Sequence, residues 1–144
     1  NYKLNPPLRG EEDRKALKKG VLDGTIDVIT SMHQPHEEDC KKLEFDYADI
    51  GAISLETVFP ILLKVFGKET VDVISRLNVA PYQVMGIAVP TIAEGEKANL
   101  VVLDVDKEWI YNTQSSSRNS PLIGAKLKGQ VQLVLNNKSV YEVV

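Results

Sequence analysis

The longest helical pattern of hydrophobic residues lies in the middle of the chain, between Ser54 and Gly67. Its apolar residues recur at every third or fourth position, namely Leu55, Val58, Phe59, Leu62, Leu63 and Phe66. This spacing predicts an amphipathic helix with a wide buried face, which Ser54 can cap and Gly67 can end. Pro60 lies inside the pattern and is expected to bend the helix.

Two further helices are predicted, one on each side of this central segment. The first covers about residues 11–22, with acidic residues in its first turn and lysines in its last, as the helix dipole favours. Gly24 is a suitable left-handed stop. Its narrow apolar stripe consists of Leu17, Val21 and Leu22. The other helix covers about residues 69–77, with Val71, Ile74 and Leu77 facing inward.

A run of β-branched residues separates the first predicted helix from the central one. Ile26, Val28 and Ile29 favour a strand that is covered on both faces, and a polar loop with His33 and His36 follows. A strand between helices is typical of an α/β unit, in which functional residues lie at the carboxyl ends of the strands. The sequence therefore predicts a strand that ends at a candidate site.

From Glu94 onward the hydrophobic spacing changes from helical to strand-like. Strands are predicted over about residues 99–105, 108–112, 126–135 and 139–144. Asn136 and Asn137 are interpreted as a two-residue hairpin turn with positive φ between the last two strands. Trp109 is interpreted as a core aromatic residue of the resulting β domain and not as a platform for a ligand.

Composition and charge narrow the range of partners and compartments. The chain has 144 residues, which is enough for a domain with a real core, and a net charge of −3. That charge gives no reason to expect nucleic acid or an anionic membrane surface as a partner. No apolar run is long enough to cross a bilayer and no signal peptide is visible, so a cytoplasmic protein is expected. The single cysteine, Cys40, fits a reducing compartment.

The residues alone leave His33 and His36 open to two interpretations. Their spacing would place both rings on one face of a helix and would suit a metal, but Pro35 between them makes a regular helix unfavourable. A zinc site needs three or four ligands. Residues 37–40, Glu-Glu-Asp-Cys, contain potential ligands, yet a charged loop is the better explanation for them.

Several motifs together resemble the C-terminal part of dihydroorotases, which are cyclic amidohydrolases. The first are Asn5-Pro-Pro-Leu-Arg9, Asp23-Gly-Thr-Ile-Asp-Val-Ile29 and Ser31-Met-His-Gln-Pro-His36. The usual family motif at the third place is Ser/Thr-Asp-His-Ala-Pro-His, so Met32 stands where the family has aspartate. Later matches are Leu55-Glu-Thr-Val-Phe-Pro60, Ala98-Asn-Leu-Val-Val-Leu-Asp104, Ser120-Pro-Leu-Ile-Gly124 and Leu127-Lys-Gly-Gln-Val131.

The resemblance implies roles for individual residues. In the family, the residues at the positions of Asn5, His36, Ile50 and Gly51 bind the substrate, and the histidine holds the substrate's carboxylate. The family's aspartate is both a metal ligand and the general base for the attacking water. The Met32 thioether is uncharged and a weak acceptor, so it cannot perform either role. We therefore expect no catalytic residue and no metal ligand in this chain.

The resemblance also implies a fold. The expected fold class is α/β plus β: residues 1–86 would form the last strand and helices of a (β/α)₈ amidohydrolase barrel, and residues 87–144 a composite β-sandwich. A full barrel takes about 250 residues, so this chain would supply only part of one. The zinc expected for active members would be held by earlier strands. Completion by the remainder of the barrel, or an oligomer, is therefore expected.

Three functional hypotheses follow. Under the first, the parent protein hydrolyses the cyclic amide of a dihydroorotate-like small molecule in pyrimidine biosynthesis, and this chain is inactive alone. Under the second, it is a non-catalytic homologue that serves as a partner or scaffold of an active pyrimidine enzyme. The third needs no family: a small α+β binding domain, which would unfold autonomously in a two-state transition.

Overall fold

The computed structural model describes residues 1–143, which form a helical part followed by an antiparallel sheet. The helices are α1 (Glu11–Asp23), α2 (Val58–Phe66), α3 (Thr70–Val73) and α4 (Ser75–Val84). The strands are β1 (Asn99–Ile110), β2 (Lys126–Asn136) and β3 (Ser139–Glu142), hydrogen-bonded in that order. Short 3-10 turns at Leu55–Thr57 and Gly67–Glu69 flank α2.

Helix α1 confirms the first predicted helix and its stop, but its last turn contains no lysine because the helix continues to Asp23. Gly24 follows with φ of 84°, in the left-handed region that glycine adopts without penalty. The predicted apolar stripe is only partly correct, because Val21 is buried while Leu17 and Leu22 are exposed. One buried residue therefore anchors this helix to the core.

Helix α2 is shorter than its hydrophobic pattern predicts. Leu55 is 61% exposed and lies in the preceding 3-10 turn, so its expected place on the buried face is wrong. Pro60 falls in the first turn of α2, where a missing N–H leaves no helical hydrogen bond unmade. The proline is thus at the beginning of the helix and not in its interior.

The predicted helix over 69–77 is two helices, α3 and α4, which meet at Ile74. Val71 is 80% exposed, so its predicted inward position is wrong; Val73 is the buried residue instead. The main core consists of Val21, Leu62, Phe66 and Val73, with Ile26 and Ile29 packed against it. The apolar residues of the predicted strand thus reach the core without forming a strand.

Residues 26–36 form no strand and pair with the rest of the described chain through a single bridge, so the prediction of a strand here is wrong. The Ile29 N–H donates to the Arg76 oxygen at 2.9 Å, and the Gln34 N–H donates to the Ala52 oxygen at 2.9 Å. His33 and Ala52 form an isolated parallel bridge. A buried parallel strand needs neighbours on both edges, and residues 1–143 supply only this one contact. The barrel therefore stays a prediction.

The C-terminal sheet agrees with the predicted strands except at three places. Strand β3 ends at Glu142, whereas the predicted strand runs to Val144, which lies outside the described residues. Strand β1 is continuous where two strands are predicted, with register irregularities between Val102 and Leu103 and between Asp104 and Glu108. The hairpin turn is one residue later than predicted, at Asn137 and Lys138, and Asn137 has φ of 55°. The described residues form one three-stranded sheet, so a second layer of the predicted sandwich is not among them.

Gly129 is the point at which the sheet packs on α2. Its φ is 89°, and a Cβ there would lie 2.8 Å from Leu63 Cδ2 and 3.0 Å from Phe59 Cε1. The half-buried Trp109 donates its indole N–H to the Gly129 oxygen at 2.9 Å and meets the Tyr111 ring edge-on at 5.7 Å. A glycine at this position thus permits close contact between helix and sheet.

The described structure exposes more surface than a self-contained chain of its size. Its accessible surface is 10337 Å², whereas a monomer of 16.0 kDa is expected to expose about 7,400 Å². The excess of about 2,900 Å² includes large apolar side chains such as Phe45, Tyr47, Val71 and Ile92. Among the described helices, none is long and apolar enough to cross a membrane.

Candidate functional site

A cleft of about 290 Å³ opens where four separate segments meet. These are residues 4–6, residues 31–34, residues 51–54 with Thr57 and Ile61 of the turn and helix that follow, and the loop at 120–122. Asn5, Met32 and Gly51 line this cleft, so the structure brings together three of the residues that the sequence singles out. His36 and Ile50 are not among the lining residues.

Met32 lies at the cleft with an unusual backbone conformation. Its φ is 49°, one of only two positive values at non-glycine residues in the described chain, and 54% of its surface is exposed. Asparagine and aspartate visit this left-handed region more readily than long side chains do. The backbone at Met32 thus has the form that a short polar residue tolerates, while the side chain is a thioether.

The His36 ring is held by contacts with two neighbouring residues, Asp49 and Ile50. Its Nε2 lies 2.9 Å from the Ile50 oxygen, and its Nδ1 lies 3.3 Å from Asp49 Oδ2. Its backbone N–H donates to Asn119 Oδ1 at 3.1 Å. Both ring nitrogens therefore face acceptor oxygens of the protein, and the predicted contact with a substrate carboxylate requires the ring to leave them.

His33 has a structural role at the beginning of the turn before α2. Its Nδ1 accepts hydrogen bonds from the backbone N–H groups of Ser54 at 3.1 Å and Leu55 at 3.2 Å. A nitrogen that accepts two N–H groups carries no proton and has no lone pair to spare for a metal. The His33 ring therefore caps the 3-10 turn before α2, a role that the sequence analysis assigns to the Ser54 side chain.

Asn119 connects the separate segments of the site, and sequence reasoning missed it. It is 3% exposed, and its Nδ2 donates to the Gln34 oxygen at 2.8 Å and to the Gly51 oxygen at 3.4 Å. Its own backbone oxygen accepts from the Ile53 N–H at 3.3 Å. The only local signal was its place beside the Ser120-Pro121 motif.

The side chain of Lys41 forms hydrogen bonds with the backbone of the 49–51 loop. The residue is 9% exposed, and its ammonium donates to the backbone oxygens of Asp49 and Gly51, the latter at 2.9 Å. Loss of hydration on burial lowers the pKa of Lys41, and the nearby Asp49 carboxylate opposes this shift. A buried cation thus satisfies two carbonyl groups at the edge of the cleft.

Gly51 has no room for a side chain because Gln34 covers it. Its φ is 125°, and a Cβ would lie 2.6 Å from Gln34 Cβ and closer still to Gln34 Oε1. The conformation and the contact both require glycine. Gln34 itself lines the cleft, at the position where the family motif has alanine.

The described residues do not fit a zinc ion. Across residues 1–143, no three or more His, Cys, Asp and Glu side chains gather closely enough to hold a metal. Both histidines are engaged, and a thioether is a poor ligand for zinc. Burial raises the pKa of the Cys40 thiol, and the nearby Asp49 carboxylate adds to this shift, which disfavours the thiolate that binds metal.

Curated relatives are similar to nearly all of this chain. A dihydroorotase from Elusimicrobium minutum is 39% identical over 139 residues, which are 92% of this chain and 32% of the relative. The chain spans about a third of the length of the curated relatives it matches. The resemblance to dihydroorotases is therefore confirmed over this part of their length. No family model matches the chain.

Solved structures of cyclic amidohydrolases have a similar fold. L-hydantoinase (dihydropyrimidinase) from Arthrobacter aurescens matches with a TM-score of 0.83 and 25% identity, over 99% of this chain and 35% of that one. The inactive dihydroorotase-like domain of a Chaetomium thermophilum CAD-like multifunctional protein matches with a TM-score of 0.61 and 23% identity, over 92% and 36%. The second likeness concerns the fold alone.

Proposed function

We propose that this dihydroorotase-like chain forms one side of a site that binds a cyclic amide of the dihydroorotate kind without hydrolysing it. Similarity to curated dihydroorotases and the fold shared with L-hydantoinase support the ligand class. Met32 supports the absence of hydrolysis. In the proposed complex, Asn5 and the Gly51 backbone contact the ligand, and His36 and Ile50 belong to the loop that borders it.

The observation that carries this proposal is the side chain at Met32. Opening a cyclic amide requires a group that takes a proton from the attacking water, and such a group must be ionisable near neutral pH. A thioether has no proton to exchange and no charge to place on a metal. The left-handed backbone at Met32 is one that aspartate also adopts, which supports a loss of activity through the side chain.

The test uses the intact protein that contains this chain. We expect dihydroorotate to bind in calorimetry and no ring opening in a turnover assay with added zinc. Replacing Met32 by aspartate returns an ionisable carboxylate to the cleft, and Met85→Asp is the matched control at an exposed position outside it. Turnover in Met32→Asp and not in Met85→Asp would assign the loss of activity to position 32.

Turnover by the unmodified protein, abolished by a chelator, would contradict the proposal. Absence of any binding would contradict it as well, because the cleft would then have no role as a ligand site. The two results are separable, since calorimetry reports binding in the absence of chemistry.

A second role, as a partner or scaffold of an active pyrimidine enzyme, is favoured by the exposed surface. The excess of about 2,900 Å² exceeds the area that one partner contributes to a standard protein interface, about 800 Å². We propose that the remainder of a barrel or another subunit covers it. Light scattering after size-exclusion chromatography tests this, and a stable monomer of the isolated chain would contradict it.

A further inference from the structure

Two side-chain amides in the cleft are not used by the protein. Asn5 and Gln34 both line it, and neither side chain forms a hydrogen bond with residues 1–143. The hydroxyls of three other lining residues bond to backbone groups: Ser54 to the Ser31 oxygen, Thr57 to the Ser54 oxygen, and Ser120 to the Leu122 N–H. The two amides are therefore free to bind a ligand.

Gln34 is held in position before any ligand arrives. Its N–H donates to the Ala52 oxygen at 2.9 Å, and its backbone oxygen accepts from Asn119 Nδ2 at 2.8 Å. Its side chain lies against the Cα of Gly51, where a Cβ would collide with it. These contacts restrict both the backbone and the side chain of Gln34. A ligand that binds to it therefore has less conformational entropy to remove.

The lining of the cleft carries no formal charge. Among the lining residues of the described chain there is no Lys, Arg, His, Asp or Glu. The Lys41 ammonium is directed at the backbone oxygens of Asp49 and Gly51, and the His36 ring faces Asp49 and Ile50. This side of the site therefore offers a carboxylate no charged partner, and an unpaired buried charge is costly.

We propose that Gln34 is a ligand-binding residue, and that it recognises the amide edge of an uncharged cyclic amide or imide. A primary amide presents one N–H donor and one carbonyl acceptor side by side, and the –CO–NH– edge of such a ring presents the complementary pair. This inference rests on the proposed function for the location of the ligand, and it adds a preference for rings without a carboxylate.

The experiment compares two ligands in the intact protein by calorimetry: dihydroorotate, and dihydrouracil, which has hydrogen in place of the carboxylate. We expect dihydrouracil to bind at least as tightly. Gln34→Ala is expected to weaken dihydrouracil binding about fivefold, the effect of one net hydrogen bond of about 1 kcal/mol. Gln34→Glu keeps the length but adds a negative charge, so it is expected to weaken dihydroorotate more than dihydrouracil.

The matched control is Gln83→Ala, an exposed glutamine of α4 outside the cleft, which is expected to change neither affinity. Tighter binding of dihydroorotate by tenfold or more would overturn the inference and leave the proposed function standing. An unchanged affinity in Gln34→Ala would do the same. If the unmodified protein binds neither ring, the inference and the proposed function both fail.

Discussion

The side-chain amide of Asn119 donates a hydrogen bond to the backbone oxygen of Gln34 at 2.8 Å, across 85 residues of sequence. The same side chain accepts the His36 N–H at 3.1 Å, so one buried residue connects the loop between β1 and β2 to both ends of the Gln34–His36 segment. The cleft therefore depends on a residue that does not line it.

Replacing Asn119 by alanine should destabilise the protein, because it leaves the Gln34 oxygen and the His36 N–H without partners in a buried place. We expect a loss of about 2 kcal/mol in the free energy of unfolding, measured by urea titration. Asn78→Ala, at an exposed asparagine of α4, should change it by less than about 0.5 kcal/mol. Equal effects of the two substitutions would contradict the proposed role of Asn119.

Gly129 and Gly124 separate the cost of backbone conformation from that of packing. Both have positive φ, 89° and 82°, but a Cβ at Gly124 meets nothing within 4 Å, whereas at Gly129 it meets Leu63 and Phe59. Gly124→Ala should cost about 1 kcal/mol from conformation alone. Gly129→Ala should cost a further 1–3 kcal/mol or so from overpacking. Urea titration of both variants measures the difference, and equal losses would show that the helix–sheet contact is loose.

The two methionines of the chain should respond in opposite directions to replacement by glycine. Met32 has φ of 49°, so Met32→Gly relieves an unfavourable conformation and should raise the free energy of unfolding by up to about 1 kcal/mol. Met85 follows α4 with φ of −83° and is also exposed, so Met85→Gly relieves no unfavourable conformation and should lower stability by about 0.5–1 kcal/mol. Thermal or urea unfolding measures the sign of the change in the free energy of unfolding. A loss of stability in Met32→Gly as large as that in Met85→Gly would contradict a strained backbone at Met32.

Lys41 should make stability depend on pH in the alkaline range. Burial lowers its pKa in the folded state below the ordinary value of 10.5, so between the two values the unfolded chain binds more protons than the folded one. Stability must then rise with pH through that interval. This contribution of Lys41 to the free energy of unfolding is complete above pH 10.5, and it is lost as the pH falls through the folded-state pKa of Lys41.

The measurement compares urea unfolding of the unmodified protein and of Lys41→Met from neutral to alkaline pH. We expect the stability of the unmodified protein to rise relative to the variant as the pH approaches 10.5. Lys64→Met, at an exposed lysine of α2, is the control and should show no such trend. A difference that is constant with pH would contradict the lowered pKa.

Local patterns were sufficient where neighbours in sequence decide the structure. The acidic first turn of α1 and the stop at Gly24 define a helix by contacts within a few residues. The strands of the C-terminal sheet follow for the same reason, because alternating residues and a short turn bring β2 and β3 together. The turn is wrong by one residue, at Asn137, and the larger error is the division of β1 into two strands.

The segment at 25–36 shows where local patterns failed. Its β-branched residues favour a strand, but strand pairing depends on a neighbour that the segment cannot specify. The buried face of α2 was predicted too wide for a related reason: Leu55 fits the helical period but lies in the 3-10 turn that His33 caps.

By itself, the sequence determined the chemistry available at position 32, because a thioether cannot ionise whatever surrounds it, and it determined the resemblance to dihydroorotases. Only the tertiary structure decided which groups of the site are occupied: His33 by two N–H groups, His36 by Asp49 and Ile50, and Gln34 by nothing at its side chain. The physical reason is that hydrogen-bond partners are chosen by proximity in space. Asn119 and Gln34 become neighbours only after the chain between them has folded.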